Sequence, residues 1–260
     1  MSQTNAIINN STLIYKLKQL LINTSDCILD IYHLSNLDIT IKSDNSPVTK
    51  ADIAAHTLLF NGLSSLTPTI PVISEEDNES LSISKSHSTY WLIDPLDGTK
   101  EFIRGRNDFT VNIALIIDSI PVLGVIYLPA LSTTYWGSSG LGATRKKNGG
   151  RPTEISTRRV PAVGATVVTS RSHLTPETEH WLLKQTLARR EPAGSSVKFC
   201  RIAEGKADLY PRFGPTMEWD VAAGHAILIA AGGKVDTLDG NPLSYGKPGF
   251  KNPNFIARGR

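Results

Sequence analysis

Leu13, Ile14, Leu17, Leu20, Leu21, Ile28 and Ile31 recur at three- and four-residue spacing, which predicts an amphipathic helix over 11–33. A short strand follows at Asp38–Ile41, then a turn at Ser46-Pro47. Thr49 is placed to cap a helix over 51–64, with Asp52 in its first turn. Apolar, β-branched runs then predict strands at Ile70–Ser74, Tyr90–Ile93, Phe109–Ile117 and Val122–Leu128. Glycines 137, 140 and 142 punctuate a hairpin over Thr133–Arg145. Residues 146–162 are polar and rich in Gly and Pro, and are expected to connect two halves of the chain. Beyond them the pattern predicts strands at Ala165–Thr169, Val197–Phe199, Leu209–Pro211 and Lys234–Thr237. A helix opens at Thr175-Pro176 and runs to about Ala188, and an Ala/Gly-rich helix over Val221–Ala231 is suited to close packing. The sum is a mixed α/β (α+β) protein. Its part over 1–150 reads as an antiparallel sheet with helices, and its part over 151–260 as closer to alternating βα.

Composition narrows the class without choosing a function. The chain has 260 residues, of which 40% are hydrophobic and 20% charged. A chain of this length buries roughly 70–75% of its unfolded surface and needs no covalent staples. Cys27 and Cys200 cannot build a disulfide framework or a CxxC zinc site, and read as reduced thiols of a cytoplasmic protein. The apolar runs are too short to cross a bilayer, and the first ten residues carry no export signal. The net charge of +3 is too mild for a nucleic-acid polymer binder. Its distribution is uneven. Residues 74–108 hold eight of the 24 acidic residues and only four basic ones. An acidic knot in a basic surround can hold cations and draw anions toward them.

Four short segments carry the chemistry. The first is Trp91-Leu92-Ile93-Asp94-Pro95-Leu96-Asp97-Gly98-Thr99-Lys100-Glu101-Phe102. A strand ending in Asp94, a turn bearing Asp97 and a short helix opened by Gly98-Thr99 place two carboxylates beside free backbone N–H groups. Hard cations take the carboxylates and a phosphate takes the amides. Ser74-Glu75-Glu76-Asp77 again follows a strand, Glu218-Trp219-Asp220 precedes the Ala/Gly helix, and Asp52 lies in Ser46-Pro47-Val48-Thr49-Lys50-Ala51-Asp52. Taken singly, these read as an Asp-Pro turn, a solvated acidic loop, a helix cap and a first-turn carboxylate. The basic run Arg145–Arg151 lacks interleaved aromatics and reads as a solvated loop, and the histidines have no zinc-ligand spacing.

Together, in this order, NSPVTKAD, SEED, DPLDGTKEF and EWDVAAG resemble the lithium-sensitive, magnesium-dependent phosphatase family that includes inositol monophosphatase and fructose bisphosphatase. DPLDGTKEF, the stretch Gly194–Cys200, the stretch Ala203–Arg212 and the tail Asn252–Ala257 are most similar to its 3′(2′),5′-bisphosphate nucleotidase branch. The resemblance covers roughly residues 40–258. It implies a layered αβαβα sandwich with the active site between its halves, and two or three Mg²⁺ per site. Glu75, Asp94 and the Leu96 carbonyl are then ligands of one ion, and Asp94, Asp97 and Asp220 of a second. Glu75 shares a third near Asp52. The Thr99 hydroxyl and Asp52 activate the attacking water, and Gly98-Thr99 cradle the phosphate. Ser195, Lys198 and Arg212 map to the nucleotide pocket, with Arg171 and His173 as further candidates. The implied substrate is a small nucleotide, 3′-phosphoadenosine 5′-phosphate (PAP), hydrolysed to AMP and phosphate. Its sulfated relative PAPS, giving APS, is a second substrate, with a role in sulfur assimilation and PAP recycling. Members of the family also associate peripherally with the cytoplasmic face of the inner membrane. The alternatives are an inositol monophosphatase or sugar bisphosphatase on the same metal core, or a non-catalytic nucleotide sensor. The oligomeric state is left open.

Overall fold

The computed structural model describes residues 10–34, 39–41, 47–85, 87–172 and 174–260. Two helices, α1 (Ser11–Tyr32) and α2 (Lys50–Leu66), form the first layer. Their apolar stripes, among them Leu17, Leu21, Ile28, Leu59 and Leu63, bury against Trp91, Ile93, Val111, Ile113 and Val125 on one face of a seven-stranded sheet. That sheet runs in chain order from β3 (Val72–Ser74) through β4 (Thr89–Asp97), β5 (Thr110–Ile117), β6 (Ile120–Leu128), β7 (Thr133–Ser138) and β8 (Gly142–Lys147) to β9 (Thr153–Ile155). It is antiparallel throughout except for the parallel β3–β4 pair. A separate two-stranded pair, β1 (Thr40–Ile41) with β2 (Pro47–Val48), precedes α2. Of the strand expected over Asp38–Ile41, Ile39 is outside the pairing, and Asp38, like Ser46 of the turn, lies outside the described residues.

The middle layer holds α5 (Val197–Ala203) and α6 (Glu218–Ala230). Helix α6 is buried on almost every side because sheets lie both above and below it. Its small residues let it approach closely. A Cβ at Gly124 of β6 would fall 2.2 Å from the Ala223 carbonyl oxygen, so this strand position tolerates no side chain. Below lies a five-stranded sheet ordered β11 (Leu187–Ala193), β10 (Ala165–Ser170), β12 (Leu209–Arg212), β14 (Phe255–Arg258), β13 (Lys234–Thr237). Phe199, Tyr210, Phe255 and Ala257 join α5 and this sheet to Leu92, Ala114, Ile116 and Ile126 of the first in one core. Helix α4 (Pro176–Leu182) closes the outer face through Leu182 and Trp181 on Ala165 and Val167. The order is αβαβα, and the fold class matches the expectation.

Three expectations fail at element level. The helix opened by Pro176 stops at Leu182, and β11 follows it. This edge strand is hidden in sequence because it is mostly exposed and charged, with Arg189, Arg190 and Glu191 in its middle and Pro192 near its end. Val197–Phe199 is the start of helix α5. Phe199, Ile202 and Ala203 bury at helical spacing, which the three-residue window could not reveal. The stretch 146–162 is no bare connection, since it contains the end of β8 and all of β9, paired at the edge of the first sheet.

Candidate active site

The break in strand β4 builds the site. Asp94 pairs opposite Asn112 of β5 and Asp97 opposite Thr110, with the ladder interrupted between them. Pro95 has no N–H to donate, so the chain bulges there. The Leu96 N–H turns back to Asp94 Oδ1 at 3.1 Å. Gly98 then takes a left-handed conformation, φ 94°, from which helix α3 (Thr99–Ile103) starts. The bulge and turn point the carboxylates out of the sheet end into a cleft of about 460 Å³.

Carboxylate oxygens of Glu75, Asp94 and Asp220 lie within 4.8 Å of one another in that cleft. Glu75 comes from the loop directly after β3, beside β4. Asp220 sits in the first turn of α6, where its Oδ2 accepts the Met217 N–H at 2.9 Å. The start of α6 is itself held by Glu218, fully buried, which accepts the N–H groups of Gly246 at 2.7 Å and Lys247 at 2.9 Å. Loss of solvent pushes Asp94 well above the usual carboxylate range, and Glu75, Asp97 and Asp220 push it further. Asp220 is raised in the same way, by loss of solvent and then by Asp97 and Glu75. Three hard oxygen donors that repel one another and are costly to ionise alone are a donor set that fits a divalent cation.

Asp97 lines the same cleft but stands outside this tight trio. Its Oδ2 accepts the Ser196 N–H at 2.6 Å and the Asn112 Nδ2 at 3.3 Å, and lies 3.4 Å from Thr110 Oγ1.

Asp52 and Thr99 meet although 47 residues separate them. The Thr99 hydroxyl lies 3.1 Å from Asp52 Oδ1 and 3.2 Å from the Leu96 carbonyl, and its single proton serves one of them at a time. Asp52 Oδ2 accepts the Thr49 N–H at 2.7 Å and the Thr49 hydroxyl at 2.6 Å, which caps α2 and locks the carboxylate. Burial pushes the Asp52 carboxyl up to about 6, against the pull of these donors.

Another part of the cleft wall is formed by Ser195, Lys198 and Arg212. The Lys198 ammonium is bonded to the Ser195 carbonyl and lies 3.5 Å from that of Ala193. It sits over the Tyr210 ring, 5.2 Å from its centroid. Burial lowers it to about 8, although Asp97 works in the other direction. Arg212 Nη2 donates to the Pro215 carbonyl at 2.5 Å. Arg171 is seated elsewhere. It pairs with Asp108 and lines a neighbouring cavity of about 560 Å³. His173 lies outside the described residues.

The sequence reading missed two acids at this wall. Glu101 Oε1 accepts the Ser172 hydroxyl at 2.8 Å, and Asp108 Oδ2 accepts the Gly194 N–H at 2.7 Å. It also missed Thr110 and Asn112. Two polar residues at the head of the otherwise apolar run Thr110–Ile117 were the available signal, because buried polar groups need partners.

The chain belongs to the inositol monophosphatase family, whose model matches residues 9–258. Among its relatives, the 3′(2′),5′-bisphosphate nucleotidase CysQ of Escherichia coli (strain K12) is 47% identical over 239 residues, 91% of this chain and 96% of that protein. The protein of the same name from Buchnera aphidicola is 41% identical over 253 residues, covering 93% and 92%. The crystal structure of CysQ from Bacteroides thetaiotaomicron matches with a TM-score of 0.83 at 38% identity, covering 96% of this chain and 98% of that one. Among the described residues no helix is long and apolar enough to cross a membrane.

Proposed function

We propose that the protein is a metal-dependent 3′(2′),5′-bisphosphate nucleotidase that hydrolyses PAP to AMP and phosphate, and PAPS to APS. The observation that carries the reading is the carboxylate trio Glu75, Asp94 and Asp220 in one cleft with the Asp52–Thr99 pair and a cationic wall. The likeness to the CysQ proteins supplies the substrate.

Glu75, Asp94 and the Leu96 carbonyl would hold one Mg²⁺, and Asp94, Asp97 and Asp220 a second, with a third shared by Glu75 near Asp52. Bound there, the cations supply counter-charge to the carboxylates and Lewis-acid polarisation of the phosphate ester. The chain's own groups do the rest. The Thr99 hydroxyl donates to Asp52 Oδ1, which turns its oxygen lone pairs toward a water in the cleft. Asp52 accepts the proton that leaves through Thr99, and a carboxyl raised to about 6 sits near the operating pH for that task. The amides of Gly98 and Thr99 orient the reacting phosphate. Ser195, Lys198 and Arg212 face the remote phosphate.

The test is phosphate release from PAP, inositol 1-phosphate and fructose 1,6-bisphosphate, each with Mg²⁺ and with excess EDTA. Release from PAP with the highest kcat/KM, abolished by EDTA and inhibited by lithium, supports the reading. A preference for inositol 1-phosphate or fructose 1,6-bisphosphate makes the protein a phosphatase of a different branch. No hydrolysis of any of them would leave a non-catalytic nucleotide sensor.

A further inference from the structure

Asp97 faces two ways, and one small network joins its two sides. All of its described hydrogen bonds fall on Oδ2, and Oδ1 makes none of them. The shortest comes from the backbone of Ser196, the residue that opens α5. The Ser196 hydroxyl donates to Asn112 Oδ1 at 2.9 Å and lies 2.9 Å from Thr110 Oγ1. Since that hydroxyl has one proton, Thr110 is the donor in the second contact, and its own single proton then serves Ser196 at 2.9 Å rather than Asp97 at 3.4 Å. Thr110, Asn112 and Ser196 are all buried, at 0%, 1% and 1% exposure. The ring of bonds ties β5 of the first sheet to the first turn of α5, 84 to 86 residues away along the chain.

The residue before Ser196 is held in an unfavourable shape. Ser195 has φ 44°, the left-handed region that a side chain other than Gly enters at a cost. Two bonds hold it there. On one side its carbonyl takes the Lys198 ammonium, and on the other the next N–H is fixed by Asp97. Ser195 and Lys198 both line the cleft. A phosphate that draws on Lys198 therefore pulls on the same turn that positions Asp97. It also lowers the repulsion between the ammonium and a cation at Asp97.

We infer that Ser196, with Thr110 and Asn112, is a positioning residue that couples nucleotide binding at the α5 turn to cation binding at Asp97. The inference rests on the nucleotidase reading. Coupling of this kind is reciprocal, so nucleotide should tighten the cation by the factor by which cation tightens nucleotide.

The experiment measures Mg²⁺ affinity by calorimetry on the full chain, with and without saturating AMP, which is the product of the proposed reaction and keeps the remote phosphate. In the wild type AMP is expected to tighten Mg²⁺ about fivefold or more. Both variants keep the backbone N–H of Ser196 on Asp97; Ser196→Ala, which removes the hydroxyl contacts to both Asn112 and Thr110, should cut that factor by about threefold or more, and Thr110→Val, which leaves the Ser196–Asn112 bond, should cut it less. A role in stability alone would lower the melting midpoint of the variants and leave the factor unchanged. A smaller loss in Ser196→Ala overturns the inference. If Ser196→Ala does not fold, Thr110→Val decides, and a wild-type factor in it overturns the inference. Failure of the wild type to hydrolyse PAP sinks the underlying reading. Hydrolysis of PAP with no coupling between AMP and Mg²⁺ sinks only this step.

Discussion

The two walls of the cleft solve opposite electrostatic problems. On the first, Glu75, Asp94 and Asp220 crowd their carboxylates together, and two of them are pushed well above the usual range. That wall is short of positive charge. On the second, Lys198 is already met by backbone carbonyls and the Tyr210 ring, and Arg212 by the Pro215 carbonyl. Glu101 and Asp108 stand close by. That wall is largely satisfied from within. The difference separates chemistry from choice. A wall that cannot stabilise its own charge has to recruit ions, and so ties turnover to them. A self-satisfied wall can lose a residue and still fold, at a cost in discrimination.

The comparison breaks hardest at Asp94. Asp94→Asn removes one charge from the centre of the trio, and kcat/KM for PAP should fall roughly 10³-fold or more, the several kcal/mol that a lost cation represents. An unchanged rate would show that the trio is bystander acidity. Thr99→Ala comes next. Its hydroxyl bridges Asp52 and the Leu96 carbonyl, so steady-state kinetics should give a kcat lower by about 10²–10⁴-fold with KM little moved. A rise in KM at constant kcat would reassign Thr99 to binding.

The second wall should respond differently. Lys198→Ala and Arg212→Ala should weaken PAP by roughly 1–3 kcal/mol per lost charge-assisted bond and 3′-AMP, with its single phosphate, much less. The ratio of kcat/KM between the two substrates is the quantity to follow. A wild-type ratio in both variants would move the remote phosphate toward Arg171 and its cavity.

The smallest effect is on pH. In metal-free protein Asp52, Asp94, Asp97 and Asp220 all have folded pKa values above their unfolded ones. Such groups favour the fold when protonated. Their contribution is complete below the unfolded carboxylate value of about 4 and is lost as pH rises through the folded values, about 6 for Asp52. His225, buried against Tyr245 and lowered to about 3, acts in the opposite sense, losing stability as pH falls below about 6.5. Melting curves in EDTA should therefore show the midpoint falling by a few degrees from pH 6.5 to 8, where the loss at the raised carboxyls outweighs the smaller opposing gains from His225 and from Lys198, itself lowered to about 8. A midpoint that rises over this interval would remove the account of the trio as uncompensated charge.

The layered fold was legible because its central segments are long and strongly patterned. Glycine and apolar runs marked β4 to β8, and the motif Asp94–Thr99 marked the sheet end where the cleft opens. What stayed hidden follows one physical theme. Strand β11 lies at an edge and carries Arg189, Arg190 and Glu191, so no apolar alternation betrays it. Helix α5 is seven residues long, too short for its period to be read from Val197–Phe199. Arg171 reads as a free cation beside a strand, and only the tertiary structure brings Asp108 to it across 63 residues. Asn112 and Ser196 look unremarkable until the register of β4 and β5 and the start of α5 bring both onto Asp97 Oδ2.

The central claim is that Glu75, Asp94 and Asp220 form a cation site waiting for its charge. Its most direct test is the melting midpoint of the wild type and of Asp94→Asn, each in EDTA and in saturating Mg²⁺, at pH 8. The account predicts a marked rise with Mg²⁺ for the wild type, and for Asp94→Asn a higher midpoint than wild type in EDTA but little gain from the ion. Equal gains from Mg²⁺ in the two proteins would contradict it.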